Sequence, residues 1–193
     1  MSYGGPDEKR AQFEVIALPL MTALYNVAVR LTRNAEDAAD AVQETFYRAY
    51  RTFENFRPGT NARSWLFTIL YSVVINRQKK AEREARDVSI DEMEQRFYQY
   101  LDATAVGDEP AEVLDAGKLD SPEIEAALQA LPEAFRSAVL MVDVQELSYE
   151  EAARVLDCPV GTLRSRLFRG RRLLFGALQD YAHRAGYMRS ADP

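Results

Sequence analysis

Apolar residues recur at helical spacing along the first part of the chain, with polar residues between them. These apolar positions are Phe13, Ile16, Ala17, Leu20, Leu24, Val27, Ala28 and Leu31. Steps of three and four residues place such side chains on one face of a helix. Pro19 lies within the stretch, and proline lacks a backbone N–H and clashes with the preceding turn. The pattern therefore predicts a helix from Phe13 to Leu31 with an early kink or break.

A second helix is predicted to begin after Asn34, a favoured N-cap residue that is followed by acids in the first turn. Its predicted buried stripe is Ala38, Ala41, Val42, Thr45, Phe46 and Ala49. The outward face carries Asp37, Asp40, Gln43, Glu44 and Arg48. The acids of this face repel one another unless a cationic partner covers them. A solvated helix face is the alternative to a binding surface.

A third helix is predicted after the turn at residues 53–61, which contains Pro58 and Gly59 and supplies Thr60 or Asn61 as a cap. The helix should run to about Arg83, with a core side of Trp65, Leu66, Ile69, Leu70 and Val73. The distal half of this helix is more polar and carries the amides and cations Asn76, Arg77, Gln78, Lys79, Lys80 and Arg83. Amides suit base edges, and cations suit phosphates.

Four helices are predicted in the last third of the chain. An apolar stripe interrupted at Pro132 indicates two short helices. Ser148 and Glu151 have the spacing of a capping box, which starts a third helix. Asp157 and Pro159 end that helix, and the apolar stripe Leu163, Leu167 and Leu174 predicts the fourth.

The fourth helix of this group carries five arginines and no acid between residues 164 and 172. Such cations repel one another along a helix unless an anion lies beside them. One alternative is a packing helix with a solvated basic face. A short helix, a tight turn and then a basic helix instead match a helix-turn-helix, whose second helix enters the major groove of DNA.

Charge is segregated along the 193 residues. The whole chain has a formal net charge of −6, but residues 81–120 alone hold twelve acids and four bases, a net −8, so the remainder is +2. Basic faces at the two ends can therefore meet phosphates. Glycine and proline interrupt the acidic stretch. We predict an all-α fold with a helical domain at residues 1–85, a flexible acidic linker at 86–121 that has room for one short helix at 93–101, and a second helical domain at 122–193.

Two stretches resemble bacterial sigma factors of the extracytoplasmic-function group. The sequence LSYEEAARVLDCPVGTLRSRLFRGRRLL, with ALPEAFRSAVLMVDVQELS just before and overlapping it, is similar to the region 4 helix-turn-helix of that family. The sequence EDAADAVQETFYRAYRTFENFRPGTNARSWLFTIL is similar to its region 2. The two matches occur in family order, so together they are more specific than either alone.

The resemblance implies a transcription initiation factor that binds core RNA polymerase and promoter DNA and helps to open the DNA. It assigns polymerase binding to Asp37, Asp40, Gln43, Glu44 and Arg48. It assigns the minus-ten element to Phe56, Asn61, Arg63, Asn76, Arg77, Lys79 and Lys80. It assigns the minus-thirty-five element to Thr162, Arg164, Ser165, Arg166, Phe168, Arg169, Arg171 and Arg172. Arg166, Arg171 and Arg172 are expected on phosphates and the others nearer base edges.

The sequence offers little for catalysis. It has no phosphate-cradling glycine loop, no nucleophile paired with a histidine base and no cluster of metal ligands around its only histidine, His183. We therefore expect no enzyme activity, metal, cofactor or small-molecule substrate. The absence of a run of about 18 wholly apolar residues argues against a membrane span. The lone Cys158 and the lack of a secretory leader predict a cytoplasmic protein.

Other classes remain open from the residues alone. A helix-turn-helix repressor or activator would bind duplex DNA without polymerase-subunit activity, and a repressor would need a dimer and a palindromic site. A helical adaptor would use the acidic face of the second helix to bind another protein. The resemblance also implies silencing by an anti-sigma factor and a stress-responsive role, with some similarity to the redox-responsive branch.

Overall fold

The first helical set consists of the elements up to residue 84. The computed structural model describes residues 6–57, 59–84 and 121–184, and its regular structure there is helical. This set contains helices α1 (Pro6–Ala17), α2 (Met21–Thr32), α3 (Ala35–Arg51) and α4 (Ala62–Glu84), with 3-10 turns at Leu18–Leu20 and Phe53–Asn55. The predicted break at Pro19 is confirmed, although the first helix begins earlier than its apolar pattern indicates.

The second helical set contains the four predicted helices. These are α5 (Pro122–Ala130), α6 (Glu133–Val139), α7 (Tyr149–Val155) and α8 (Val160–Arg184). A π-helical turn at Leu140–Val144 extends α6, which the sequence did not predict. The predicted linker and its short helix lie outside the described residues, apart from Ser121, so the domain boundaries stay a prediction.

Local sequence explains where the helices begin. The Asn34 side chain accepts hydrogen bonds from the backbone N–H groups of Glu36 and Asp37, at 2.8 and 3.2 Å, as an N-cap does. The capping box predicted at Ser148 and Glu151 is present. Both helices therefore start at side chains that replace missing backbone partners.

One stretch, Asp7–Thr32, is long and apolar enough to cross a membrane by length and composition. In the structure this stretch is broken by the turn at Leu18–Leu20. Its second half packs on α3 and α4, where Leu24, Val27 and Leu31 are buried. These apolar side chains form part of the core of the first helical set.

The two helical sets are packed together. Helix α4 contacts α7, and α2 contacts α6. Buried apolar side chains of both sets belong to one cluster. The described chain therefore places its amino-terminal and carboxy-terminal helices side by side.

Candidate functional site

The polar face of α3 is exposed on the first helical set. Asp37, Asp40, Gln43 and Arg48 are exposed and Glu44 is half-buried. This arrangement follows from the helical repeat, since Ala38, Ala41, Val42, Thr45 and Ala49 face the core. Glu44 accepts from Arg48 Nε at 2.6 Å, so the acids of this face are only partly balanced within it. The five residues that the sequence grouped do share one surface.

The aromatic residues beside the loop are core residues. Phe56 is 8% exposed, stacks with Phe53 at a centroid distance of 5.9 Å and lies 4.9 Å from the Trp65 ring. The structure therefore gives Phe56 a packing role, and its contact with DNA stays a prediction. Its ring closes the cluster between the end of α3 and the start of α4, and base stacking would require it to leave that cluster.

Asn61 and Arg63 stand at the start of α4 and point toward the second helical set. The Asn61 Oδ1 accepts from the backbone N–H groups of Arg63 and Ser64, at 3.1 and 3.3 Å, and so caps α4. Its Nδ2 donates to Glu151 Oε1 at 2.8 Å. Arg63 Nη1 donates to Gln145 Oε1 at 2.7 Å. Neither partner could be predicted from the sequence.

The distal half of α4 carries the predicted amides and cations. Asn76 is exposed and its Nδ2 donates to Ser72 Oγ at 3.4 Å. Arg77 lies 3.6 Å from Asp40 of α3, which connects the expected DNA-binding helix to the polar face of α3. Lys79 and Lys80 follow on α4, but their side chains lie outside the described residues.

The helix-turn-helix of the second set consists of α7, the turn at Asp157 and Cys158, and α8. Asp157 has φ +48°, the left-handed conformation in which aspartate is tolerated better than most residues. On α8, Leu163, Leu167 and Leu174 are buried as predicted. The turn and this apolar stripe fix α8 against α6 and α7.

Helix α8 presents its polar residues away from that stripe. Arg164, Ser165 and Phe168 are exposed. The Arg164 guanidinium lies 5.6 Å from the Tyr149 ring centroid, and Ser165 Oγ donates to Thr162 O at 2.9 Å. Four further predicted residues are half-buried: Thr162, Arg166, Arg169 and Arg172. An arginine and a hydroxyl exposed side by side can bond to base edges.

Arg171 differs from the other arginines of α8. Its Nη2 and Nε donate to Asp143 Oδ1 and Oδ2, at 2.6 and 3.1 Å. The Asp143 side chain is only 3% exposed, and its hydrogen bond is the main cause that raises the pKa of Arg171. The phosphate contact expected of Arg171 stays a prediction, and it would compete with this pair, because the Arg171 charge is already compensated inside the second helical set.

Comparisons with known families match both helical sets. The profile described as Sigma-70 region 2 matches residues 19–84, and that described as Sigma-70, region 4 matches residues 121–174. The two profiles cover the helices that carry the candidate surfaces.

Individual relatives match most of the chain. It is 31% identical over 178 residues to the RNA polymerase sigma-H factor of Pseudomonas aeruginosa, covering 92% of this chain and 91% of that one. It is 35% identical over 161 residues to the ECF RNA polymerase sigma factor EcfG of Rhodopseudomonas palustris, covering 83% and 82%. The structure is similar to the sigma factor RpoE of Bartonella quintana, solved in complex with the anti-sigma factor NepR, with a TM-score of 0.66, 28% identity and coverage of 87% and 97%.

Proposed function

The chain belongs to the extracytoplasmic-function sigma factors of the sigma-70 family, and we propose which of its surfaces bind RNA polymerase and which bind promoter DNA. The observation that carries the proposal is the separation of an exposed acidic face on α3 from an exposed basic face on α8. Polymerase binding and duplex reading then use different helical sets, so both partners can be held at once.

The basic face of α8 is assigned to the minus-thirty-five element. Arg164, Ser165 and Phe168 are exposed where the second helix of a helix-turn-helix meets base edges. Thr162 and Arg169 flank them, and Arg166 and Arg172 are assigned to phosphates, which position the helix without reading sequence. Arg171 is left out of the interface because it pairs with Asp143.

The start and the distal half of α4 are assigned to the minus-ten element. Asn61 and Arg63 lie on the loop side, and Asn76, Arg77, Lys79 and Lys80 follow along the helix. These groups offer hydrogen bonds and positive charge to a separated strand. Phe56 is assigned to the core that holds the loop in place.

The polar face of α3 is assigned to core RNA polymerase. Asp37 and Asp40 supply exposed negative charge, with Gln43, Glu44 and Arg48 on the same surface. An acidic face of this kind suits a basic partner surface and favours fast, oriented association. The Arg77 to Asp40 ion pair suggests that the polymerase-binding face and the minus-ten helix are positioned together.

Run-off transcription with core RNA polymerase tests the function. A library of promoter templates should give defined transcripts only when the chain is added. Arg164→Ala should reduce them about tenfold, since a bidentate arginine to guanine contact contributes about 1–3 kcal/mol. Arg154→Ala is the matched control, because Arg154 is an exposed cation on α7 outside the proposed interface. Core polymerase that starts at the same sites with and without the chain would contradict the proposal.

A binding measurement tests the polymerase surface separately. Asp37→Arg should weaken the complex with core polymerase, because it reverses one of the exposed charges of the acidic face. Glu150→Arg makes the same reversal on exposed α7 and should leave the complex intact. Equal losses in both variants would contradict the assignment of α3.

An anti-sigma factor is the further partner that we propose. The RpoE structure, which resembles this chain over 87% of its length, was solved with the anti-sigma factor NepR. A partner of this kind would cover the polymerase-binding surface and keep the chain inactive in the cytoplasm. Co-purification of the chain from its host should recover a small inhibitory protein that blocks the run-off reaction. The stress or redox signal stays a prediction from the sequence.

A further inference from the structure

Tyr149 lies beside the arginine that is proposed to read the minus-thirty-five element. It is the first residue of α7 and follows the Ser148 cap, so the capping box fixes where its side chain starts. The Arg164 guanidinium carbon lies over the Tyr149 ring, 5.6 Å from the centroid, within the range of a cation-π interaction. The ring is half-buried and packs against the hydrophobic core. It therefore offers the exposed Arg164 side chain a fixed surface.

The far end of the Tyr149 side chain is also held. Arg171 bonds through two nitrogens to Asp143, at 2.6 and 3.1 Å. The hydrogen bond with Asp143 is the first cause that raises the pKa of Arg171, and a side-chain hydrogen bond with Tyr149 is a further one. Arg164 and Arg171 are about two helical turns apart on α8, or about 10.5 Å, so they share one side of the helix. Tyr149 therefore connects an exposed arginine to the ion pair of Asp143 and Arg171.

The contact with the ring leaves the hydrogen-bonding groups of Arg164 available. A cation is attracted to the face of an aromatic ring, and a guanidinium carries its N–H donors around a planar edge. In the part of the chain that the structure describes, the Arg164 guanidinium has no hydrogen bond or ion pair. A bidentate contact with guanine uses that edge. The interaction with Tyr149 and a contact with a base therefore involve different parts of the guanidinium.

We propose that Tyr149 is a positioning residue for the minus-thirty-five element, because it holds Arg164 in place and thereby strengthens the base preference that Arg164 imposes. A mobile arginine loses rotamer freedom when it binds a base, and an arginine that is already ordered loses less. This inference rests on the proposed function, since it requires that Arg164 reads a base. It adds a residue of α7 to the residues of α8 that determine sequence preference.

The expected size of the effect follows from the strength of the interaction. A cation-π contact at an exposed site corresponds to a change of about two- to fivefold in an equilibrium constant. Loss of the Tyr149 ring should weaken the preference at one base pair by about this factor, which is less than the roughly tenfold effect of removing Arg164 itself. Contacts with phosphates should be unaffected, because they do not depend on Arg164. A residue that only stabilises α7 would instead lower activity at all promoters alike.

Competition between templates measures base preference in the holoenzyme. Each reaction contains a promoter that the wild-type holoenzyme transcribes and a copy with one minus-thirty-five base pair changed, so a loss of active protein cancels in the ratio of transcripts. Arg164→Ala identifies the base pair that Arg164 reads. Tyr149→Leu should reduce the preference at that pair about two- to fivefold and leave the other pairs unchanged. Tyr149→Phe keeps the ring face and should retain the preference to within about twofold.

A double-mutant cycle separates positioning from an independent contact with DNA. In the Arg164→Ala background, Tyr149→Leu should not change the transcript ratio further, because no guanidinium is left to position. Tyr181→Leu is the matched control, since Tyr181 is another half-buried tyrosine that packs on the core, near the end of α8. This control should leave every ratio unchanged. If Tyr149→Leu does not fold, Tyr149→Met supplies a second side chain without a ring.

Three results of these competitions would overturn the inference. One is a change at every base pair, which would indicate that Tyr149 contacts phosphate or only stabilises α7. Another is an equal effect of Tyr149→Leu with and without Arg164. The third is the same change in Tyr181→Leu, which would show that any loss of packing in the second helical set alters base preference.

The ordering of Arg164 can be measured without DNA. In the full chain labelled with ¹⁵N-arginine, the Arg164 Nε–H signal is identified by its loss in Arg164→Ala. Its relaxation should report restricted motion on the picosecond to nanosecond timescale. Tyr149→Leu should increase that motion, whereas Tyr181→Leu should not. Equal motion of the Arg164 guanidinium in all three proteins would overturn the positioning role.

The proposed function and this inference fail in different ways. A holoenzyme that starts at no promoter, or one in which Arg164→Ala relaxes no base pair, would refute the proposed function together with the inference that depends on it. A holoenzyme in which Arg164→Ala relaxes one base pair and Tyr149→Leu relaxes none would leave the proposed function standing and overturn only the role of Tyr149.

Discussion

Arg166 and Arg171 of α8 have different environments, so we expect them to have different roles. Arg171 bonds through two nitrogens to Asp143, whose side chain is almost fully buried. Arg166 is half-buried, and its charge lies near Tyr71 rather than in a buried ion pair. Removing one partner of a buried pair leaves the other charge without compensation, which costs far more than the pair contributes as a whole.

The two arginines should therefore respond differently to alanine substitution. Arg171→Ala should lower the free energy of unfolding by about 3 kcal/mol, because the Asp143 carboxylate is left unpaired. Arg166→Ala should leave stability nearly unchanged and reduce the salt dependence of duplex binding by about 0.9 in the slope of log K against log salt. Urea unfolding and binding titrations at several salt concentrations measure the two effects. Equal loss of stability in both variants would contradict this division.

Single residues are also where sequence reasoning was weakest. The composition of α8 indicates a basic helix, but it cannot show that one of its arginines turns toward Asp143, 28 positions earlier. Phe56 has the same ambiguity, since an aromatic residue in a loop can stack on a base or close a core. The contacts of Phe56 with Phe53 and Trp65 favour the core role, and the positions of these neighbours depend on how α3 and α4 pack.

At the level of elements, α6 and α8 approach each other closely at Gly170. A Cβ atom added to Gly170 would lie 2.8 Å from Val139 Cγ2 and 3.2 Å from Phe135 O. The contact with a backbone oxygen cannot be relieved by a side-chain rotation. The helix-turn-helix is therefore held against α6 by a glycine that allows the two backbones to approach.

Substitution of this glycine should be destabilising although alanine favours helices. Gly170→Ala should lower the free energy of unfolding by about 1–3 kcal/mol, because overpacking outweighs the gain in helix propensity. Gly176→Ala is the control on the same helix, where nothing lies within 4 Å of the added atom, and it should stabilise by about 0.5–1 kcal/mol. Thermal or urea unfolding gives both values. A neutral Gly170→Ala would show that α6 and α8 can shift apart freely.

Elements could be predicted better than single contacts because their signals are local. Asn34, Asn61 and the Ser148 capping box start helices through bonds to residues two or three positions away. The π-helical turn at Leu140–Val144 was missed, since its apolar residues continue the pattern of α6 and only the backbone bond from Gln145 N–H to Leu140 O distinguishes it.

For the whole molecule, the contacts between the helical sets had no signal in the sequence. The side-chain hydrogen bonds of Arg30, Arg33, Asn61 and Arg63 to the second helical set join residues 82 to 96 positions apart, across the predicted linker. Periodicity predicts which face of a helix is buried but not which distant helix covers it. The resemblance to the family predicted the two helical sets and their roles. Only the structure shows that Asn61 contacts Glu151.

Protonation of Glu151 should make the packing of the two helical sets depend on pH. Burial alone would raise the pKa of Glu151, but hydrogen bonds from Ser148 and Asn61, with the nearby cation of Arg154, lower it below its ordinary value of 4.5. Separation of the helical sets removes the Asn61 bond, so the carboxylate should take up a proton more readily in the open form. The arrangement in which the helical sets are packed together is therefore favoured at pH values above the ordinary pKa of Glu151. It loses that advantage as the pH falls through the lowered pKa of Glu151.

Acidification should consequently favour separation of the two helical sets. Spin labels at Ala39→Cys on α3 and Ala177→Cys on α8, with Cys158→Ala, report the separation of the helical sets. As the pH falls from about 6 to about 3.5, through the range in which carboxylates titrate, the distance between the labels should lengthen in the otherwise wild-type sequence while circular dichroism still reports folded helices. Glu151→Gln has no proton to gain at this position, so it should begin more open and change less over the same range. Glu150→Gln removes a neighbouring exposed carboxylate, whereas the Asn61 amide bonds to Glu151, so this variant should follow the wild-type curve. If Glu151→Gln and the wild-type sequence open with the same amplitude and midpoint, Glu151 does not link protonation to closure.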